Sequence, residues 1–541
     1  MRNPITSSDI ISIRGKYLYI GDDDPSQRFF MRGIAFPIPP PSQTKRYYYS
    51  DADVVSEEEL NDESYLSGWV SVLEQLASDS DINTIRLYEM DCRFNYSTFL
   101  SRAAELGIYV MIPLTTLLGP GVLSRSTVAP ACYSRELFEY GASCLDRFWD
   151  YPNVIAGVVG NEVMNSLKGW KAAPCVKAYI DDLARYGKRV FRTRSKKGGG
   201  TVRKSLPLLY ATQHDSPSAE QLPDEAIKLT FDYLSCHSVN SDSDEDRIRH
   251  LDSTVMFGIN IESWCSSLQS FEYEENGIDE SSYHALWRTL FKGTKLETTM
   301  DAVTTEVTVR EIPTISPKPL SIPIVFSEMG CSKYLFNRDN GLQQPSLARD
   351  WKQIPVVLDH PLSDEMSGFI AYGYDGGGNE AFRMMGDDNT RWDGIEPLPP
   401  SLDYDNFCNE MSNTIKTESA SDETSGGNLN ANSTFWVPAE CEEFSSKLEQ
   451  LWGVALYPLA KMPSYSSKRE SNLNILVDSA AVILSVPEQS EKSTLSVAAV
   501  AIFAFVAAIT VAAKNQSSDT SEDKKIFRKI PRDSDYGSFK C

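Results

Sequence analysis

Histidine is scarce in this sequence. There are five in 541 residues, at His214, His237, His250, His284 and His360, and no two stand at ligand spacing. The ten cysteines are scattered singly, with no CxxC pair. A Cys/His zinc site is thereby excluded in its usual form, and neither a metal nor a cofactor is expected. Positive charge is also short, with 52 Lys and Arg against 75 acids and a net charge of −23. That balance disfavours nucleic acid and anionic substrates and permits a neutral one. The opening stretch, MRNPITSSDIISIRGKYLYI, lacks the apolar core of roughly 7–15 residues that a secretory leader carries. The folded part is expected to begin near residue 10, with the true start of the chain lying upstream.

One long stretch lacks charge altogether. Leu495 to Ala513 reads LSVAAVAIFAFVAAITVAA, and Lys514, Lys524, Lys525, Arg528, Lys529 and Arg532 follow it. At about 1.5 Å per residue, such a helix matches the hydrocarbon core of a bilayer. The positive flank predicts a single span with the tail in the cytoplasm and the bulk of the chain outside or in a lumen. Two usable glycosylation sequons, at Asn95 and Asn432, agree with that side of the membrane. They favour disulfides in an oxidising compartment over buried thiols.

Eight strand-like runs follow in order: Met31–Phe36, Asn83–Tyr88, Ile108–Leu114, Val154–Glu162, Leu206–Thr212, Thr254–Asn260, Ile322–Glu328 and Phe369–Tyr374. Helical patterns separate many of them. The clearest covers Val176–Phe191, where Val176, Tyr179, Ile180, Leu183, Tyr186 and Val190 form one stripe. Strands alternating with helices predict an α/β fold, a (β/α)8 TIM barrel with insertions, over 10–400. A polar linker is expected over 401–434 and a stalk or small subdomain over 435–493. The transmembrane helix at 494–513 and a cytoplasmic tail at 514–541 complete the layout.

Two of the strands end in glutamate. Val154-Ile-Ala-Gly-Val-Val-Gly-Asn-Glu162 and Ile322-Pro-Ile-Val-Phe-Ser-Glu328 are apolar runs without alternation, as in strands buried on both faces. The C-terminal mouth of such strands is where barrel enzymes keep their chemistry. Strands four and seven face each other across that mouth. Two carboxyl groups about 5 Å apart are what a retaining glycosidase-type reaction needs, one as acid/base and one as nucleophile. Asn161 is placed to donate to a sugar hydroxyl.

Several motifs carry a resemblance. Asn83-Thr-Ile-Arg-Leu-Tyr88, Gly107-Ile-Tyr-Val110, Gly160-Asn-Glu-Val163, Ala172-Ala-Pro-Cys-Val-Lys-Ala178, Phe257-Gly-Ile-Asn260 with Trp264-Cys265, and Phe326-Ser-Glu-Met-Gly-Cys331 agree in order and spacing. Over about 30–380 the chain resembles the fungal cell-wall β-1,3-glucanosyltransferases of glycoside hydrolase family 72. The resemblance implies Glu162 as acid/base and Glu328 as nucleophile. It implies substrate contacts by Asn161, Tyr88, Asn260, Trp264, Tyr372 and Tyr374. It further implies a Cys265–Cys331 disulfide and a second joining Cys236 to Cys408.

The departures fall around the sugar. Pro37 stands where the family has Gln, Pro113 where it has Asp, Glu262 in place of a tyrosine, and Gly373 for a glutamate between Tyr372 and Tyr374. Proline offers no side-chain hydrogen bond. The expected activity is a retaining transglycosylase working on cell-surface or wall β-glucan as donor and acceptor. A β-glucan hydrolase and a non-catalytic glucan-binding protein are the alternatives. The protein is expected to act as a monomer held to the membrane by one helix, without nucleic acid as a partner.

Overall fold

The computed structural model describes residues between 3 and 466. Outside the description lie 22–26, 37–62, 80, 89, 91, 93–95, 117–120, 197–205, 214–224, 237–254, 262–285, 287–289, 291–293, 301–306, 314–321, 331–332, 338–341, 346–347, 350, 360–361, 375–382, 387–396 and 422–440, together with both ends. The chain divides into Met1–Ser467, which holds every described residue, and Lys468–Cys541, which holds none. The membrane-span segment, both sequons at Asn95 and Asn432, Trp264, Cys265, Cys331, Pro37 and Glu262 therefore lie outside the described residues. Among the described residues no helix is long and apolar enough to cross a membrane.

Eight parallel strands close into a barrel. They are β1 (Met31–Phe36), β2 (Thr84–Leu87), β3 (Tyr109–Pro113), β4 (Val154–Asn161), β5 (Leu208–Gln213), β6 (Val255–Ile261), β7 (Ile324–Met329) and β8 (Gly368–Ala371). Each pairs with its sequence neighbour, and β8 closes onto β1. The TIM barrel expected from the eight apolar runs is thus present. The reason lies in double burial. One set of side chains, including Met31, Met111, Leu209, Met256, Val325 and Ile370, fills the barrel interior. The other set packs outward onto the helices. A hairpin of Ile11–Arg14 and Tyr17–Ile20 contributes Ile11 and Leu18 to the interior cluster.

The outer layer includes α1 (Glu63–Asp79), α2 (Ser97–Glu105), α3 (Arg135–Phe148), α4 (Ala173–Lys196), α5 (Glu225–Ser235) and α6 (Gln353–Leu358). Ser134 caps α3 by accepting from the Leu137 N–H at 3.1 Å, which satisfies a donor the helix leaves open. The stripe on α4 is wholly inward, from Val176 to Val190. Two disulfides, Cys92–Cys144 and Cys132–Cys175, tie this layer together.

The stretch assigned to a linker needs correction. From Leu402 to Ser421 it is helix α7, and its Tyr404, Phe407 and Met411 are buried. Composition misleads here because a few buried contacts hold an otherwise polar segment. Asp403 accepts from the Arg349 N–H at 3.0 Å, from Arg349 Nε at 2.8 Å and from Trp351 Nε1 at 2.9 Å. Helix α8 (Cys441–Trp452) and the turns after it also pack on the barrel. Asp182 on α4 accepts from Ser464 Oγ and the Tyr465 N–H, both at 2.7 Å.

The second disulfide expectation is likewise corrected. Cys236 bonds Cys441, not Cys408. The Cys236 side chain, at the end of α5, is met by the start of α8, with the two Cα atoms 5.1 Å apart. Cys408 sits on α7 as a thiol.

Candidate active site

The C-terminal ends of β2, β4, β6 and β7 bring one polar cluster together in an otherwise apolar barrel. Glu328 enters from β7 and is 4% exposed. Its Oε1 accepts from Arg86 Nη1 at 3.2 Å and from Tyr88 Oη at 3.0 Å. The Asn161 amide faces this carboxyl and lowers its pKa. Glu162 comes from the residue after β4, and its Oε1 accepts from Asn260 Nδ2 at 2.8 Å.

Asn161 joins the two halves. Its Oδ1 accepts from Arg86 Nη2 at 2.9 Å and from Asn260 Nδ2 at 3.0 Å. With the oxygen so held, the amide nitrogen is the end turned to Glu328. Asn260 is fixed in turn, since its Oδ1 accepts from Ser327 Oγ at 2.7 Å. Room for Ser327 comes from Gly258 on β6, where a Cβ would lie 2.5 Å from Ser327 Oγ. The chain of contacts therefore runs from Glu162 through Asn260, Asn161 and Arg86 to Glu328. Two acids far apart in sequence converge on one network.

Burial pushes the Glu328 carboxyl up to about 7, Arg86 opposes this, and the Glu162 charge adds to it. The Tyr88 and Asn161 hydrogen bonds pull the other way. Burial also holds the Tyr88 hydroxyl well above its ordinary range, so it stays a donor. By count of donors, Glu328 is the carboxyl built to carry charge, with a guanidinium, a phenol and an amide aimed at it. Glu162 is more open and receives one amide.

Tyr372, after β8, packs edge-on to Tyr88 with ring centroids 6.1 Å apart. Tyr374 does not join this cluster. Its ring lies against Phe36 in the outer core, and its hydroxyl donates to Gln75 on α1 at 3.4 Å. The cause is Gly373 at φ 102°, which breaks the period-two alternation that would put both tyrosines on one side. Pro113 closes β3 and is buried there.

Arg86 and Ser327 belong to the cluster but were not among the expected site residues. Arg86 had a readable signal. A guanidinium in the four-residue apolar strand Thr-Ile-Arg-Leu must find a partner when buried, and Arg86 is 1% exposed. Ser327 gave no signal in the sequence.

The glucanosyltransferase family model of glycoside hydrolase family 72 matches residues 4–286. The 1,3-beta-glucanosyltransferase GAS5 of Saccharomyces cerevisiae is 25% identical over 417 residues, covering 76% of this chain and 64% of that protein. The 1,3-beta-glucanosyltransferase gas5 of Schizosaccharomyces pombe is 22% identical over 463 residues, covering 85% and 68%. This chain thus spans somewhat under two thirds of the first relative's length. Among solved structures, Saccharomyces cerevisiae Gas2p in complex with laminaripentaose aligns over 75% of this chain and 70% of that one, at 22% identity and a TM-score of 0.46. Since the family model takes in more than half of the 541 residues, from the N-terminal hairpin through β6, the chain belongs to the glucanosyltransferase family, glycoside hydrolase family 72.

Proposed function

We propose that this chain is a retaining β-1,3-glucan transglycosylase. The observation that carries the reading is the pair Glu162 and Glu328, linked through Asn161 and Asn260 at one end of the barrel. The activity named for the relatives, 1,3-beta-glucanosyltransferase, supports a β-1,3-glucan as the donor.

In the first step the ionised Glu328 attacks C1 of the donor sugar. The bond from C1 to the leaving oxygen breaks, and that oxygen takes the proton of Glu162. A glycosyl ester on Glu328 results. In the second step Glu162, now a carboxylate, removes the proton of an acceptor hydroxyl. The acceptor oxygen displaces Glu328 from C1, and a longer glucan is released. Arg86 and Tyr88 hold the leaving carboxylate. Asn161, fixed by Arg86 and Asn260, is placed to donate to the sugar 2-hydroxyl, a bond that tightens as C1 gains positive character. Tyr88 and Tyr372 form an aromatic wall beside it.

The cellular setting belongs to the same proposal. Three disulfides fit an oxidising compartment. The uncharged segment at 494–513 and the basic residues after it support one membrane span with the barrel outside. In this layout the catalytic unit extends through residue 466, and the stalk is the shorter stretch from there to 493.

Incubation of the purified full chain with reduced laminari-oligosaccharides tests the reading. Products longer than the donor are expected. Only shorter products would make it a hydrolase, and binding without products would make it a glucan-binding protein.

A further inference from the structure

The turn that presents Glu162 is strained and anchored from one neighbouring strand. Glu162 takes φ 53°, the one non-glycine residue with positive φ among the described residues. That conformation brings Cβ close to the following carbonyl and is disfavoured for glutamate. Something must hold it, and β5 does so on both sides. The Glu162 N–H donates to Ala211 O at 2.9 Å, which extends the β4–β5 ladder by one bond. Beyond the turn, the Met164 N–H donates to Tyr210 Oη at 2.9 Å.

Successive N–H groups after a left-handed residue converge on a small concavity that suits an electron-rich atom. Here a phenol oxygen fills it. Tyr210 is 1% exposed, and its ring lies against Gly160, where a Cβ would come within 3.2 Å of ring carbons. Burial raises the Tyr210 pKa and the Met164 and Val163 amides oppose the rise, so the group is a neutral phenol.

We infer that Tyr210 is a positioning residue for Glu162, its hydroxyl oxygen locking the turn after β4 and so setting the aim of the acid/base carboxyl. The inference rests on the acid/base reading of Glu162 given above. Without the phenol oxygen, the Met164 N–H loses its acceptor and the left-handed turn loses a restraint. Rotation of Glu162 toward negative φ then relieves the strain and carries its carboxyl off Asn260 Nδ2.

The test uses the dependence on leaving group. Two donors share one laminari-oligosaccharide glycone. One leaves as 2,4-dinitrophenolate, which needs no proton. The other leaves as a sugar alcohol, which does. On the full chain, kcat/KM reports steps up to the glycosyl-enzyme. Tyr210→Phe is expected to lower kcat/KM on the sugar-leaving donor by roughly 10–100-fold and on the dinitrophenyl donor by no more than about twofold. Equal loss on both donors, or loss on neither, would overturn the inference. Glu162→Gln is run beside it and should show the same selectivity more strongly. Equal loss in that control would remove the acid/base reading itself, leaving the anchoring to be judged by exchange. In the wild-type protein the amide proton of Met164 is expected to resist deuterium exchange for hours. Exchange within seconds would refute the anchoring whether or not Tyr210→Phe folds.

Discussion

Replacing Glu328 by glutamine removes one titrating carboxyl from the centre of the barrel, and the response of stability to pH measures how that carboxyl is held. In the folded protein its pKa rises from the ordinary 4.5 to about 7. Burial is the main cause, Arg86 works against it, and Glu162 reinforces it. The folded state therefore holds a proton here that the unfolded chain has already lost. The sign follows from that excess of bound protons. The contribution of this group to stability is fully present below its unfolded value and is lost as pH rises through about 7. At about 1.4 kcal/mol per pH unit, the gap corresponds to a loss of roughly 3 kcal/mol by pH 8. Glu328→Gln cannot titrate, so it does not suffer this loss. It does deprive Arg86 of its partner, but that cost is shared with the protonated wild type at low pH. Urea denaturation of both proteins at pH 4.5, 6, 7 and 8, disulfides intact, gives the stability difference at each pH. The difference should move in favour of glutamine by roughly 3 kcal/mol between the extremes. A flat difference would mean that Arg86, Tyr88 and Asn161 fully offset burial and that Glu328 stays ionised throughout. The account of the site's electrostatics would then be wrong.

The same carboxyl must be ionised to attack, so the acid limb of kcat/KM should lie near its pKa of about 7. Tyr88→Phe removes a hydrogen bond that lowers that value, and the limb should move to higher pH; a limb that stays or moves down would refute the role given to Tyr88. Asp403→Ala leaves Arg349 buried without its carboxylate and should cost about 3–5 kcal/mol in urea denaturation. A chain ended at Pro400 should be less stable still, since it also loses the rest of α7 and Cys441; stability equal to the full chain would return 401–434 to the status of a linker. Peptide mapping without reduction should recover Cys236 linked to Cys441, and a link to Cys408 would contradict the packing of α8.

The barrel was legible because parallel strands buried on both faces cannot alternate. Val154 to Gly160 and Ile324 to Phe326 read as unbroken apolar runs, and the structure places them as β4 and β7. Asn161, Glu162 and Glu328 were legible for a related reason, since polar residues that end such runs stand at the barrel mouth. Tyr374 departs from the expected cluster because one positive φ at Gly373 redirects the chain, and φ is not written in residue spacing. The stretch 401–434 reads as linker because its polar composition hides Asp403, whose value depends on Arg349 and Trp351 from another part of the chain. The partner of Cys236 was hidden in the same way, being set by where α8 docks. Tyr210 reads as one more apolar strand residue, because the turn its oxygen supports lies on another strand.

The Cys236–Cys441 bond spans 205 positions. At a synthesis rate of about 5–20 residues per second, Cys236 leaves the ribosome roughly 10–40 s before its partner exists. Cys92 with Cys144 and Cys132 with Cys175 are complete well before that point, at separations of 52 and 43. A nascent chain thus carries an unmated sulfur through the birth of the last three barrel strands. Formation of the native pair has to wait until α8 (Cys441–Trp452) arrives, so this bond closes late in the making of the fold.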